Sequence, residues 1–200
     1  MMDLDATTRE RKKTTLRERF AAYRAGLSRD ERARRSAQTV ERLQALPEIR
    51  AARTVHCYWP QGGEIDTRAF VEAFHAGGGA VALPVVTSFA EGTPAMTARR
   101  YEGRTSLREN RWGLAEPTDE APVISPRALD AVVVPAFGAG RSGGRRIGHG
   151  RGFYDAFLAQ VDAPAVALVY DACLVERVPA APHDVAMDAI LTETQTVRVA

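Results

Sequence analysis

The sequence predicts an α/β fold: a mostly parallel sheet with helices on both faces, three layers α/β/α, and an N-terminal helical pair packed on it. Three observations predict it. A strand, a short helix and a second strand follow one another over residues 54–84, a βαβ unit whose strands run parallel. The runs Ala131–Pro135 and Ala165–Val169 are continuous apolar stretches, the kind buried on both faces of a parallel sheet. A glycine-rich segment separates the first of these runs from a helix, and that is where such sheets present ligands.

Each element has its own local reason. Residues 8–45 read as two helices, with residues 1–8 outside the ordered part. The first helix carries Leu16, Phe20, Tyr23 and Leu27 at helical spacing. Ser28-x-x-Glu31 is a capping box that opens the second, whose apolar stripe is Val40, Leu43 and Leu46 and which Pro47 stops. Thr54–Trp59 reads as a strand. A helix starts at Asp66 or Thr67, runs through Phe70, Val71 and Phe74, and ends at Gly77-Gly78-Gly79. Ala80–Pro84 is the next strand. Residues 87–127 are rich in turn formers, with short strands near Met96–Arg100. After Ala131–Pro135 come the glycine-rich loop, a helix over Phe153–Gln160, the strand Ala165–Val169, and Ala189–Thr192 as the last strand. Nothing repeats at a fixed period and no linker divides the chain, so residues 1–200 read as one domain.

Composition excludes several function classes. Of 200 residues, 45% are hydrophobic and 26% charged, which excludes a disordered or fibrous chain. The balance of 27 basic against 25 acidic residues lacks the strong basic excess of a dedicated nucleic-acid binder. No stretch approaches the roughly 18 apolar residues of a membrane-spanning helix. The N-terminus is polar and charged, unlike a secretory signal. Cys57 and Cys173 have no framework spacing and read as buried thiols of a reduced, cytoplasmic protein. Only Lys12 and Lys13 are lysines among the 27 basic residues; the pair is an accident or a place where an ammonium is wanted.

Residues 138–152 hold seven of the 16 glycines, together with Arg141, Arg145, Arg146 and Arg151. Glycines let backbone N–H groups approach an anion, a helix N-terminus adds positive charge, and arginines supply forked donors to phosphate oxygens. These are the parts of a polyphosphate cradle; the alternative is a solvated arginine–glycine loop. The segment is neither a P-loop, which needs a lysine, nor a dinucleotide fingerprint, whose glycine spacing differs from Gly148-x-Gly150-x-Gly152. Asp155, in the first helical turn, is a helix cap or a Mg²⁺ ligand beside phosphates.

The decapeptide Arg146-Ile147-Gly148-His149-Gly150-Arg151-Gly152-Phe153-Tyr154-Asp155 resembles the signature of the 5-formyltetrahydrofolate cyclo-ligases, also called 5,10-methenyltetrahydrofolate synthetases. That signature runs Arg, aliphatic, Gly, variable, Gly, variable, Gly, aromatic, Tyr, Asp. Further landmarks are collinear with the family: Lys13-Thr14-Thr15-Leu16-Arg17, Glu64-Ile65-Asp66-Thr67, Trp112-Gly113-Leu114-Ala115-Glu116-Pro117, and His183-Asp184 with Asp188. The resemblance implies a fold of the sugar-phosphate isomerase and CoA-transferase kind. It implies ATP-driven closure of 5-formyltetrahydrofolate to 5,10-methenyltetrahydrofolate through phosphorylation of the formyl oxygen. ATP and Mg²⁺ are the implied cofactors, a reduced folate the small-molecule partner, and nucleic acid, membrane and a second protein chain are not needed.

Residue roles follow from the resemblance alone. Lys13 and Arg17 reach the ATP phosphates from the first helix. Arg146, Gly148, His149, Gly150, Arg151, Gly152, Phe153 and Tyr154 wrap the triphosphate, with Arg146 and Tyr154 closest to the chemistry. Asp155 and Asp184 hold Mg²⁺. Glu64 bonds the pterin, and Trp59, Trp112 and Tyr154 pack on its rings. Read without the resemblance, Trp59 and Trp112 are core, Glu64 caps a helix and Asp184 is a turn residue.

The chain also departs from the family. Between Pro135 and Gly144 it lacks the usual Phe-Asp and is one residue longer; His149 replaces a common Tyr and Arg151 a Gly or Lys. Those departures leave open a paralogue that binds ATP and acts on another substrate. An RNA-associated protein is a third reading, opposed by the neutral charge. A sugar-phosphate isomerase or CoA-transferase is a fourth, and no Glu nucleophile or Lys base stands in a suitable setting for it.

Overall fold

A computed structural model describes residues 5–88 and 95–199. In chain order the elements are α1 (Ala6–Gly26), α2 (Arg29–Ala45), α3 (Pro47–Ala51), β1 (Thr54–His56), α4 (Arg68–Ala76), β2 (Ala80–Ser88), β3 (Ala95–Arg100), β4 (Leu107–Glu109), β5 (Ala115–Pro117), β6 (Val123–Ile124), β7 (Ala131–Pro135), β8 (Gly138–Gly140), β9 (Arg146–Ile147), α5 (Phe153–Leu158), β10 (Ala165–Leu168), β11 (Leu174–Val175), β12 (Ala189–Leu191) and β13 (Thr196–Arg198). Eight strands form the main sheet in the order β13-β12-β10-β7-β1-β2-β3-β6. Its five central strands, β12 to β2 in that order, pair in parallel, and antiparallel pairings occur only toward the edges. The fold is α/β, as the sequence predicts.

Strand alternation builds the three layers. Val55, Cys57, Val81, Leu83, Val133 and Leu168 face one side and pack with Phe20 of α1, Leu43 of α2 and Phe70 of α4. Ala82, Val132, Val134, Ala167 and Ile190 face the other and pack with Phe157 and Leu158 of α5. All of these are essentially buried.

Several boundaries differ from the sequence reading, each for a local reason. Asp5 caps α1 by accepting from the Thr8 N–H, so the helix begins at Ala6, before residue 8. Pro47 does not only end α2. It stands first in α3, where its missing N–H loses nothing. β1 is shorter than Thr54–Trp59, because after Cys57 the chain leaves the sheet: the Tyr58 hydroxyl donates to Ile65 O (3.0 Å) and the Thr67 hydroxyl to Tyr58 O (2.7 Å). The 57–67 loop is thereby folded back over the strand ends. β2 runs on to Ser88, past the expected end at Pro84. α5 stops at Leu158, short of Gln160. The glycine-rich segment contains two strands, β8 and β9, paired antiparallel. Ala189–Leu191 is not the last strand, since β13 pairs beside it.

Among the described residues no helix is long and apolar enough to cross a membrane. Both cysteines are free and buried, and burial pushes the Cys57 thiol up to about 12 and that of Cys173 up to about 11.

Candidate active site

The site forms where the parallel strands end. The loop after β1, strands β2 and β3, the end of β7 and the segment from β9 into α5, together with α1, the β4–β5 hairpin and the 183–184 turn, enclose a cleft of about 600 Å³, within the range of small-molecule sites. Every residue given a role by the family resemblance lines it: Lys13, Arg17, Trp59, Glu64, Trp112, the segment Arg146–Asp155, and Asp184.

The phosphate-type loop owes its shape to glycine and to Arg17. Gly150 (φ +84°) and Gly152 (φ +75°) occupy the left-handed region, which costs a side-chain-bearing residue roughly 1–2 kcal/mol. Arg17 Nε donates to Gly148 O at 2.8 Å, and a Cβ on Gly150 would stand 3.1 Å from the Arg17 guanidinium. Arg17 therefore holds the loop from beneath as well as lining the cleft.

Two ion pairs flank this loop. Lys13 Nζ lies 2.6 Å from Asp184 Oδ2, which also accepts from the Ala181 N–H at 2.7 Å. Burial works against the Asp184 carboxylate, but Lys13 and the Ala181 N–H outweigh it and hold its pKa below the usual value. Arg146 Nη2 donates to Asp155 Oδ1 at 2.9 Å, and the Val185 N–H donates to the same oxygen at 3.0 Å. Asp155 is thus no cap of α5, whose N-cap is Gly152 without a side-chain bond; it ties the helix to residue 185. Asp184 does serve as a turn residue. Each carboxylate directs one oxygen at these partners; the other oxygen of Asp184, Oδ1, faces His183 Nε2 at 3.7 Å.

Opposite the loop, Glu64 is buried. Its Oε2 accepts from the Gln61 N–H at 3.0 Å, and its Oε1 faces His149 Nε2 at 3.8 Å. Glu64 closes its own turn and caps no helix. Trp59 stacks on Tyr101, with ring centroids 5.8 Å apart, whereas Trp112 is 43% exposed with the Arg111 guanidinium 4.0 Å above its ring. Neither tryptophan is fully buried in the core. The Tyr154 hydroxyl is buried without a hydrogen-bond partner, and burial raises its pKa well above the ordinary phenol. It is a protonated donor beside the cleft.

The glycines also explain the missing Phe-Asp carboxylate. A Cβ on Gly138 would meet the Phe20 ring at 2.3 Å, and one on Gly140 would meet Val178 N at 2.8 Å. At neither position is there room for a side chain. Arg141 and Arg145, counted among the cluster from sequence, are spent on structure: Arg141 bonds Gln195 (2.6 Å) and Arg145 bonds Asp184 O.

The cleft also contains residues that were given no role from sequence: Glu10, Gln61, Met96, Glu116 and His183. Glu10, Lys13 and Arg17 recur at helical spacing, so the shared face was readable. Glu116 bonds the Val86 N–H at 3.0 Å, where the β2–β3 register shifts; no local signal announces that contact.

Comparison with known proteins agrees with this geometry. The model of the 5-formyltetrahydrofolate cyclo-ligase family matches residues 9–193. A 5-formyltetrahydrofolate cyclo-ligase of Mycolicibacterium smegmatis is 38% identical over 71% of this chain and 74% of its own length. That of Escherichia coli K12 is 28% identical over 86% and 95%. The structure of Aquifex aeolicus 5,10-methenyltetrahydrofolate synthetase superposes with a TM-score of 0.81 at 28% identity, covering 93% of this chain and 92% of that one. With its signature loop, its lysine and its glutamate gathered in one cleft, the chain belongs to the 5-formyltetrahydrofolate cyclo-ligase family.

Proposed function

We propose that this chain closes 5-formyltetrahydrofolate to 5,10-methenyltetrahydrofolate with ATP and Mg²⁺, by phosphorylating the formyl oxygen. The observation that carries the reading is that the glycine loop, with its paired cations and carboxylates, shares one cleft with Glu64 and the tryptophans. An anionic ligand and a ring system with N–H groups fit side by side there.

ATP supplies a γ-phosphoryl group that turns an amide-like oxygen into a leaving group. The formyl oxygen bonds to the γ-phosphorus as ADP departs. N10 then bonds to the formyl carbon and loses its proton, and the carbon–oxygen bond breaks to release phosphate. No enzyme nucleophile is required, so the protein's work is positioning and charge neutralisation. Lys13, Arg17, Arg146 and Arg151 are the cations for the phosphates, and the loop N–H groups add to them. Glu64 accepts from the pterin N–H groups and orients the ring. Trp59 and Trp112 pack against its faces and exclude water. Tyr154 offers a buried hydroxyl proton to an incoming oxygen.

The donor set fits Mg²⁺. Among the described residues no cluster of three or more acidic, His or Cys side chains makes a metal site. Two neighbouring carboxylates with an oxygen apiece match an ion that takes its remaining ligands from phosphates and water. Asp155 and Asp184 would hold it, and it would neutralise phosphate charge.

The test is formation of methenyl absorbance from 5-formyltetrahydrofolate. It is expected only with Mg-ATP present. Lys13→Ala and Asp155→Asn are expected to lower kcat about a hundredfold or more, the scale for removing one charge-stabilising group, while far-ultraviolet circular dichroism stays unchanged. Nucleotide binding without folate turnover would transfer the reading to another substrate.

A further inference from the structure

His149 stands at a variable position of the signature, and its surroundings give it a task specific to this chain. The backbone on either side is fixed by one residue, since Arg17 bonds Gly148 O and packs against Gly150. The side chain leaves that anchored backbone toward the opposite half of the cleft. Its ring lies edge-on to Phe137, centroids 4.7 Å apart, and Nε2 is 3.8 Å from Glu64 Oε1. Gln61 already engages Glu64 Oε2, so Oε1 is the oxygen a pterin would use, and the imidazole stands over it. At 3.8 Å the contact is too long for a direct hydrogen bond, and the His149 side chain is 58% exposed. The imidazole is therefore held loosely between a buried carboxylate and the anion-binding face of the loop that carries it.

We propose that His149 is a positioning residue that couples the two halves of the cleft. Resting against Glu64, it competes with the folate for Oε1; drawn to a polyphosphate on its own loop, it yields that oxygen to the substrate. A triphosphate on the same loop offers the imidazole N–H acceptor oxygens to bond, whereas Glu64 Oε1 at 3.8 Å does not, so nucleotide binding favours the second arrangement. Linkage makes the effect reciprocal: the factor by which nucleotide tightens folate equals the factor by which folate tightens nucleotide. The inference rests on the reading of the cleft under Proposed function.

Titration calorimetry on the full chain tests it, with 5-formyltetrahydrofolate and the Mg²⁺ complex of a β,γ-imido ATP analogue, so that binding proceeds without turnover. In the unmodified chain each ligand is expected to tighten the other by the same factor, roughly two- to fivefold, the size of a weak contact released. His149→Phe keeps the packing on Phe137 and loses the polar contact. It is expected to bind folate alone more tightly by that same factor, with both couplings gone, and His149→Gln, which retains a donor, to restore part of them. A general loosening of the loop would weaken nucleotide binding and would not tighten folate. Undiminished coupling in His149→Phe, or no coupling in the unmodified chain, overturns the proposal. Glu64→Gln separates the two readings: unchanged folate affinity in that variant overturns the substrate reading of the cleft and the inference with it. Weakened folate affinity there, beside full coupling in His149→Phe, overturns only the role of His149.

Discussion

His56 lies at the centre of the sheet, fully buried, edge-on to Tyr154 and tilted against Phe157, with neither ring nitrogen in hydrogen-bond contact. Burial lowers its pKa to about 3, with the Val133 backbone acting weakly in the opposite sense. The unfolded chain protonates this imidazole near pH 6.5 and the folded chain does not. Between those values the unfolded state binds the extra proton, so stability falls as pH drops below about 6.5. One proton is worth about 1.4 kcal/mol per pH unit, or about 2 kcal/mol by pH 5. His56→Leu is expected to remove that component. Denaturant melts should show the variant gaining on the unmodified chain by about that amount between pH 7 and pH 5; parallel curves would mean that His56 is protonated in place. The sequence displays His56 in a strand without revealing its missing partners. Lys13 was easier to notice, as one of only two lysines, yet its partner Asp184 is 171 positions away and only the fold brings them together.

At the scale of elements, the glycine-rich segment is two things at once. Gly148, Gly150 and Gly152 make the ligand loop, whereas Gly138 and Gly140 lie in β8, a strand squeezed between α1 and residues 173–178. The first group was legible because its chemistry is local: strand, glycines, arginines and helix start are consecutive. The second was not, because glycine has no strand pattern of its own and the need for it comes from distant neighbours. β13 escaped notice for a similar reason, being three residues of alternation without a turn signature. A consequence can be measured. Gly138→Ala would press a methyl against the Phe20 ring and the backbone oxygen of Cys173, at 2.3 and 2.4 Å. The backbone oxygen cannot step aside, so the expected cost is about 2–3 kcal/mol, a fall in Tm of roughly 5–10 °C for a chain of this size. Gly148→Ala meets nothing within 4 Å and is expected to leave Tm within about 2 °C. Equal Tm values for the two variants in calorimetry would contradict this division of the glycines.

Across the whole molecule, the cleft is assembled from both ends of the chain. α1 gives Lys13 and Arg17, the loop after β1 gives Trp59 and Glu64, the turn of the β4–β5 hairpin gives Trp112, and the last third gives the glycine loop and Asp184. The parallel sheet makes this gathering possible by ending five strands on one edge, where loops from distant parts of the sequence converge. The fold class was legible because the buried strands are continuous apolar runs. The membership of the cleft was legible through collinear motifs, while Gln61 and Met96 waited on the packing. Net charge near zero was no guide to the site, since two of its cations, Lys13 and Arg146, are matched by Asp184 and Asp155 within hydrogen-bond distance.

In the proposed reaction the formyl oxygen leaves with phosphate. Oxygen-18 placed in the formyl group of 5-formyltetrahydrofolate follows that atom through one complete turnover with unlabelled Mg-ATP in unlabelled water. The proposed reaction puts the label in the released inorganic phosphate, one atom per methenyl group formed, with ADP equal to both. Label appearing in water, or phosphate released without it, would contradict phosphorylation of the formyl oxygen.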